Sequence, residues 1–306
     1  MGWTRTGRKG AFRYFDSQGR QIREAAKIER IEQLAIPPAW KDVVISPRAK
    51  ARLQATGYDK AGRKQYLYHD EFRAAQEQAK YDNLIRFAEK LPELRAAMAE
   101  HLDKDELDRE RVSAIALRLI NLGWFRVGSE RYARESGTYG ITTLTRRHVE
   151  VRGNRIRLTF RGKHAIQVRT EVVDEELAEA MRELSKLPGG ARVFRYELEG
   201  KRYSLTSPRL NEYVKTYLAD EFTAKDFRTW GGTLLTAIAL AERTKRHGFP
   251  ETESEVKRSV SAAMRRVAEQ LGNTPAVCRA SYVSPAVVEQ YLEGRTITDF
   301  RPRHFA

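Results

Sequence analysis

The chain has 306 residues, 41% of them hydrophobic, and carries 56 Lys and Arg against 41 Asp and Glu for a net charge of +15. That length suits one large and one small domain, and the spread of apolar residues excludes a disordered polyelectrolyte. No run of about 18 apolar residues is present to cross a membrane. The basic residues 1–10 lack the apolar stretch of a secretory signal, and the single cysteine, Cys278, excludes a disulfide framework or a cysteine-based zinc site.

Short apolar or alternating runs fill the first quarter: Phe12-Arg13-Tyr14-Phe15, Val43-Val44-Ile45 and Gln65-Tyr66-Leu67-Tyr68. Turns such as Asp16-Ser17-Gln18-Gly19 and Ile36-Pro37-Pro38 divide them. This predicts a small strand-rich domain over residues 1–75 with one helix near 24–34. The charge concentrates there, with 16 basic and 8 acidic residues for +8 against +7 in all the rest. Helix formers then run over 72–91 and are expected to stop at Pro92. Val112, Ile115, Ala116, Leu119 and Ile120 recur at helical spacing within 107–122.

Residues 141–173 break that period. Thr142-Thr143-Leu144, Val149-Glu150-Val151 and Ile156-Arg157-Leu158-Thr159-Phe160 alternate, with turns at Gly153-Asn154 and Arg161-Gly162-Lys163. A small antiparallel sheet inserted in a helical domain is expected. Helices are predicted over 175–187, 208–219, 230–244 and 254–271. The last places Val256, Val260, Ala263, Met264, Val267 and Leu271 on one face and closes at Gly272. Ser284-Pro285 opens a final helix over 287–292. The expected fold is therefore α+β: a strand-rich domain over 1–75, and a mainly helical domain over 76–306 that carries a small antiparallel sheet.

A folded chain at +15 most often meets a polyanion, because Lys and Arg release the counterions condensed on phosphates. A merely soluble basic protein is the plain alternative. An anionic membrane fits less well, for want of a basic amphipathic helix with a bulky apolar face. No phosphate-cradling G-x-x-x-x-G-K-[ST] loop occurs; Gly162-Lys163-His164 lacks the upstream glycine and the hydroxyl residue. Histidines 69, 101, 148, 164, 247 and 304 show no metal-ligand spacing, and Asp103-Lys104-Asp105 reads as a solvated helix start. Phosphodiester chemistry, if present, is thus expected to proceed without metal. It then needs a nucleophile, fixed cations for the non-bridging oxygens and an acid for the leaving oxygen. Arginine suits the second task through its planar, permanently charged fork. Tyrosine suits the first where the bond must be reversed. Thirteen tyrosines do not select one of themselves.

Motifs spread over nearly the whole chain resemble type IB DNA topoisomerases of the small poxvirus and bacterial class. They are Ile36-Pro37-Pro38-Ala39-Trp40-Lys41-Asp42-Val43 with Gly57-Tyr58-Asp59 and Gly62-Arg63-Lys64-Gln65-Tyr66-Leu67-Tyr68-His69; Trp124-Phe125-Arg126-Val127-Gly128; Thr159-Phe160-Arg161-Gly162-Lys163; Lys225-Asp226-Phe227-Arg228-Thr229-Trp230; and Asn273-Thr274-Pro275 with Ser281-Tyr282-Val283. The resemblance implies an N-terminal DNA-binding domain and a C-terminal catalytic domain with the fold shared by tyrosine recombinases and type IB topoisomerases.

By that resemblance Tyr282 is the nucleophile, Arg126 and Arg228 clamp the scissile phosphate, Lys163 on its hairpin turn protonates the leaving 5′-oxygen, and Asn273 donates to a phosphate oxygen. Poxvirus relatives carry histidine at the Asn273 position, and bacterial ones can carry asparagine. Gln65, Tyr66 and Tyr68 match DNA-contacting residues, with Tyr66 and Tyr68 on one face of a strand, and Lys225 is a helper at the DNA. The implied reaction needs no metal, no ATP and no other cofactor. The implied partner is double-stranded DNA, clamped by a monomer without membrane attachment, in the cytoplasm at the nucleoid. Basic residues near the ends, Arg5, Arg8 and Lys9 with Arg301 and Arg303, read as DNA-binding tails.

Plain alternatives stand beside each assignment. Tyr282 suits a capping aromatic before Pro285, Arg126 and Arg228 suit surface ion pairs with Asp226 near, and Lys163 suits a solvated turn. Gln65, Tyr66 and Tyr68 suit packing on a half-buried strand, Lys225 suits a supporting position, and Cys278 suits a buried filler. A tyrosine site-specific recombinase is the alternative enzyme, though Lys225 stands where those usually carry histidine. A clamp that binds without cutting is the non-catalytic alternative.

Overall fold

The computed structural model describes residues 2–297. The chain divides into two compact units within one helix, between Asp82 and Asn83. In the first, strands β1 (Trp3–Arg8), β2 (Ala11–Phe15), β3 (Lys41–Ile45), β4 (Leu53–Tyr58) and β5 (Lys64–Tyr68) form an antiparallel sheet in the order β2-β1-β3-β4-β5. Helix α1 (Ala25–Gln33) contributes Ile31 to a core with Trp3, Tyr14, Val43, Ile45 and Ala55. Two turns use one device: Asp16 accepts from the backbone N–H groups of Gln18 and Arg20, and Asp59 from those of Ala61 and Arg63. Arg5 is not a tail. It lies on β1 and donates to the carbonyls of Ile36, Pro37 and Trp40 at 3.1, 3.0 and 3.0 Å, clasping the Pro37-Pro38 turn. Arg301 and Arg303 fall outside the described residues.

Helix α2 (Asp70–Leu102) runs through Pro92, where the sequence predicts a stop. Proline in a helix interior costs about 3 kcal/mol. Here Phe87, Leu91, Leu94 and Met98, spaced to one face on both sides of it, are all buried, and that burial outweighs the loss. Helix α3 (Arg109–Gly123) is capped by Asp108 and places Val112, Ile115, Ala116, Leu119 and Ile120 in the same core. After α4 (Glu130–Ser136) the expected sheet appears as β6 (Val149–Arg152), β7 (Arg155–Arg161) and β8 (Gln167–Val173), with Ile156, Leu158 and Phe160 inward. The alternating Thr142-Thr143-Leu144 is no strand. Residues Ile141–Thr143 make a 3-10 turn, in which the Thr143 hydroxyl bonds the backbone of Gly140.

Helix α5 (Glu175–Lys186) leads to a hairpin the sequence reading did not foresee, β9 (Arg195–Leu198) with β10 (Lys201–Ser204). Then follow α6 (Ser207–Tyr217), α7 (Asp226–His247), α8 (Glu253–Leu271), α9 (Pro275–Ser281) and α10 (Pro285–Leu292). Helix α7 starts four residues before its predicted start because the Asp226 carboxylate accepts from the N–H and hydroxyl of Thr223 and fixes the first turn. That places Arg228 on the helix. Helices α7, α8 and α10 pack around a second core, with Trp124, Leu240, Val267, Cys278 and Tyr291 buried in it.

Candidate active site

Two helix ends converge on one pair of guanidiniums. Helix α3 terminates at Trp124 in the left-handed region (φ 48°) and α8 at Gly272 (φ 57°). The last carbonyls of a helix have no partner within it and carry partial negative charge. Here they accept from arginines. Arg228 donates to the Trp124 carbonyl through Nη1 and to the Leu271 carbonyl at 2.7 Å through Nη2. Arg126, two residues beyond Trp124, donates through Nη2 to the Gly272 carbonyl at 3.3 Å and to Asn273 Oδ1 at 2.5 Å.

Arg228 is only 4% exposed, and its Nε–H is buried without a partner. Burial, then the charge of Arg126, pushes its pKa down to about 10; Tyr282 acts in the opposite sense. Burial likewise lowers Arg126, again opposed by Tyr282. Among the described residues no carboxylate pairs with either arginine, and Asp226 is held by Thr223 instead. The surface ion-pair alternative does not describe them. Two like charges, one buried and one half-buried, sit together against carbonyl dipoles, with the Tyr282 hydroxyl within hydrogen-bond reach of Arg228.

Tyr282 ends α9, its N–H donating to the Cys278 carbonyl at 2.9 Å. Its ring packs under Arg228, with the guanidinium carbon 5.1 Å from the ring centre. Asn273 lies one residue beyond Gly272. Its Oδ1 is taken by Arg126, and its buried Nδ2 faces the Cys278 thiol. Cys278 is fully buried. Tyr282, Arg126, Arg228 and Asn273, spread over more than 150 positions of sequence, thus form one cluster.

Lys163 is exposed at the tip between β7 and β8, in a turn where His164 and Ala165 take φ values of 60° and 61°. Among the described residues its ammonium makes no hydrogen bond or ion pair, with that cluster or elsewhere. The hairpin is nevertheless tied to the Arg126 segment. The Tyr139 N–H donates to the Arg161 carbonyl at 2.8 Å, and the Ile141 N–H donates to the Arg126 carbonyl at 2.9 Å. Lys225 is exposed at the start of α7.

In the first unit, β5 is a sheet edge. Tyr66, 50% exposed, and Tyr68 share its outer face with ring centres 6.3 Å apart. Leu67 turns toward the core, and Gln65 donates to Asp59 at 2.9 Å. The aromatic face is lined with cations: Lys64 lies over Tyr66 and Arg52 over Phe72, whose ring meets Tyr68 at 5.5 Å. A half-exposed Tyr66 is more than strand packing requires.

Comparison with known proteins decides the family. A family model described as "Eukaryotic DNA topoisomerase I, catalytic core" matches residues 69–297, and one described as "Bacterial DNA topoisomerase IB, N-terminal domain" matches residues 11–59. The chain belongs to the type IB DNA topoisomerase family. It is 32% identical to "DNA topoisomerase 1B" of Acanthamoeba polyphaga mimivirus, across 94% of this chain and 86% of the relative. It is 23% identical to "DNA topoisomerase 1B" of Vaccinia virus (strain Copenhagen), across 85% and 81%. The protein is accordingly an isomerase that acts on DNA topology. The five residues expected at the catalytic centre of this topoisomerase all fall within the core match, and Gln65, Tyr66 and Tyr68 lie between the two matched segments. No described helix is long and apolar enough to cross a membrane.

Sequence reasoning missed the groups that hold these side chains. The carbonyls of Trp124 and Leu271 have no sequence signature, since every residue has one. Gly231-Gly232 did carry a signal: two glycines within a helix are unfavourable and mark close approach. The Trp124 ring lies where a Cβ on residue 231 would be, and the Tyr282 carbonyl where one on residue 232 would be.

Proposed function

We propose that this protein relaxes supercoiled duplex DNA by two successive transesterifications at Tyr282, without ATP or metal. The Tyr282 hydroxyl oxygen attacks the scissile phosphorus and the bond to the 5′-oxygen breaks. One strand is then joined to the enzyme through a 3′-phosphotyrosine. The freed 5′-end swivels about the intact strand, driven by torsional strain. Its hydroxyl attacks the phosphotyrosine, the strand is resealed, and Tyr282 is restored.

The observation that carries this reading is the phenol packed against the buried guanidinium of Arg228, with the half-buried Arg126 beside it and no carboxylate on either. Such donors stabilise charge accumulating on a pentacovalent phosphorus far better than solvated ones, because they are already oriented and desolvated. The phosphate meets N–H groups of Arg228 and Arg126 that no carbonyl engages. Asn273 stands beside Arg126, which holds its Oδ1; its Nδ2 faces the Cys278 thiol and must turn from it to donate to a phosphate oxygen. Lys163 lies on an exposed tip with no protein partner, as suits an acid that meets the leaving 5′-oxygen only when DNA is bound.

Tyr66 and Tyr68 with Lys64 and Arg52 contact the duplex, joined by Gln65, and Lys225 supports the phosphate side. The protein works as a monomer that closes on DNA at the nucleoid, its affinity dominated by phosphate contacts and falling steeply with salt.

Incubation with negatively supercoiled plasmid in EDTA without ATP tests this. Wild type relaxes the plasmid and leaves a denaturant-stable protein–DNA adduct; Tyr282→Phe does neither. Relaxation that requires magnesium, or that survives Tyr282→Phe, overturns the reading. Site-restricted strand exchange in place of relaxation favours a recombinase.

A further inference from the structure

One turn of α7 does two jobs. Arg228 sits at the start of it, and Gly231 and Gly232 follow three and four residues later on the same helical face. Those two positions lack side chains where other parts of the site lie closest. A Cβ on residue 231 would run into the Trp124 ring, and one on residue 232 into the Tyr282 carbonyl. The helix backbone is therefore in direct contact with the residue that holds Arg228 and with the residue that carries the phenol.

The next residue, Thr233, completes the contact. Its hydroxyl donates to the Tyr282 carbonyl at 3.4 Å and accepts from the Ser284 N–H at 3.1 Å. A single side-chain oxygen thus bridges the backbone on both sides of Val283, which is itself buried. With the Tyr282 N–H fixed on the Cys278 carbonyl, the peptide groups flanking Tyr282 are held from two directions.

We propose that Thr233 is a positioning residue for the transesterification: its hydroxyl fixes the Tyr282 backbone on the α7 turn that carries Arg228, so that phenol and guanidinium keep one register. This rests on Tyr282 being the nucleophile. Thr233 does not touch DNA in this scheme; it acts through Tyr282. A reacting oxygen displaced by a fraction of an ångström costs rate, not affinity. The same oxygen is nucleophile in cleavage and leaving group in resealing, so a misplaced Tyr282 slows both steps equally and leaves the ratio of covalent to non-covalent complex unchanged.

Single-turnover cleavage and religation on an end-labelled duplex, with excess enzyme, measure this for Thr233→Val, Thr233→Ser and Tyr282→Phe. Thr233→Val removes the hydroxyl at nearly constant volume. It is expected to slow both steps about tenfold, the scale of one or two lost hydrogen bonds, with DNA affinity within about twofold of wild type. Thr233→Ser retains the bridge and recovers most of the rate. Thr233→Ala replaces the valine variant if that one fails to fold, with the same expectation.

Wild-type rates in the hydroxyl-free variant overturn the proposal. So does an equal loss in the serine variant, or a shift in the cleavage equilibrium with one rate unchanged. Adduct formation by Tyr282→Phe is a separate outcome: it defeats the assignment of the nucleophile, whatever Thr233 does.

Discussion

Replacing Arg228 by lysine keeps one positive charge and tests how dry the site is. Burial brings the Arg228 guanidinium down to about 10, which corresponds to a penalty of about 3 kcal/mol on the charged form. A lysine ammonium starts near 10.4. The same environment therefore brings it to about 8, within reach of assay conditions. Below that pH, Arg228→Lys is charged and cleaves DNA about a hundredfold more slowly than wild type, because a point charge cannot hold the Trp124 and Leu271 carbonyls and a phosphate at once. Above it, the ammonium loses its proton and the rate falls a further tenfold per pH unit, while the wild-type guanidinium stays charged across the assay window.

Single-turnover cleavage from pH 6.5 to about 9.5, a window set by these two ionisations, reads this directly. The ratio of variant to wild-type rate cancels every titration the two proteins share. Stability moves the other way. The native lysine loses its proton before the unfolded one does, so the unfolded chain binds more protons between about 8 and 10.4 and unfolding free energy rises with pH there, by up to about 3 kcal/mol. A rate ratio flat across this range, or a variant that loses stability on going alkaline, refutes the claim that desolvation governs this position.

Lys163→Ala should slow cleavage of an ordinary duplex by about 10²–10⁴. It should cleave nearly normally a duplex whose 5′ leaving atom is sulfur, since a thiolate departs without a proton; equal losses on both substrates refute the acid role. Phe87 is fully buried, with its ring 5.6 Å from Phe222 and 5.0 Å from Phe227, both near edge-on. Phe87→Ala should lower unfolding free energy by about 3–5 kcal/mol in urea titration, and a loss below about 1 kcal/mol contradicts the packing described around Pro92.

Periodicity alone placed most of the long helices and β7, because their buried faces repeat without interruption. Val112 to Ile120 on α3 and Ile156, Leu158 and Phe160 on β7 are examples. It failed where a local rule met a tertiary one. Pro92 marks a stop by itself, yet the apolar residues on both sides belong to one core. Thr142-Thr143-Leu144 alternates as a strand does, but the Thr143 hydroxyl closes a turn on Gly140. The hairpin of β9 and β10 is short and largely exposed, so it leaves little hydrophobic pattern to read. Residue types at the candidate site were legible through family motifs. What orients them was not, because backbone carbonyls and the absence of a Cβ leave no distinctive letter in the sequence, apart from Gly231-Gly232.

The arginine cradle is built from the ends of two helices, with no acidic side chain in it. An amide carbonyl has no proton to gain under any condition in which the protein folds. A guanidinium seated on carboxylates loses its counter-charge in mild acid and must also exchange one anion for another when DNA arrives. Arg126 and Arg228 face neither event: their seats at Trp124, Leu271 and Gly272 are chemically inert to acidity. Acid sensitivity in this enzyme should therefore arise at outlying ion pairs such as Lys104 with Asp108, whose carboxyl is held below its usual range, leaving the two arginines in place until the fold itself gives way.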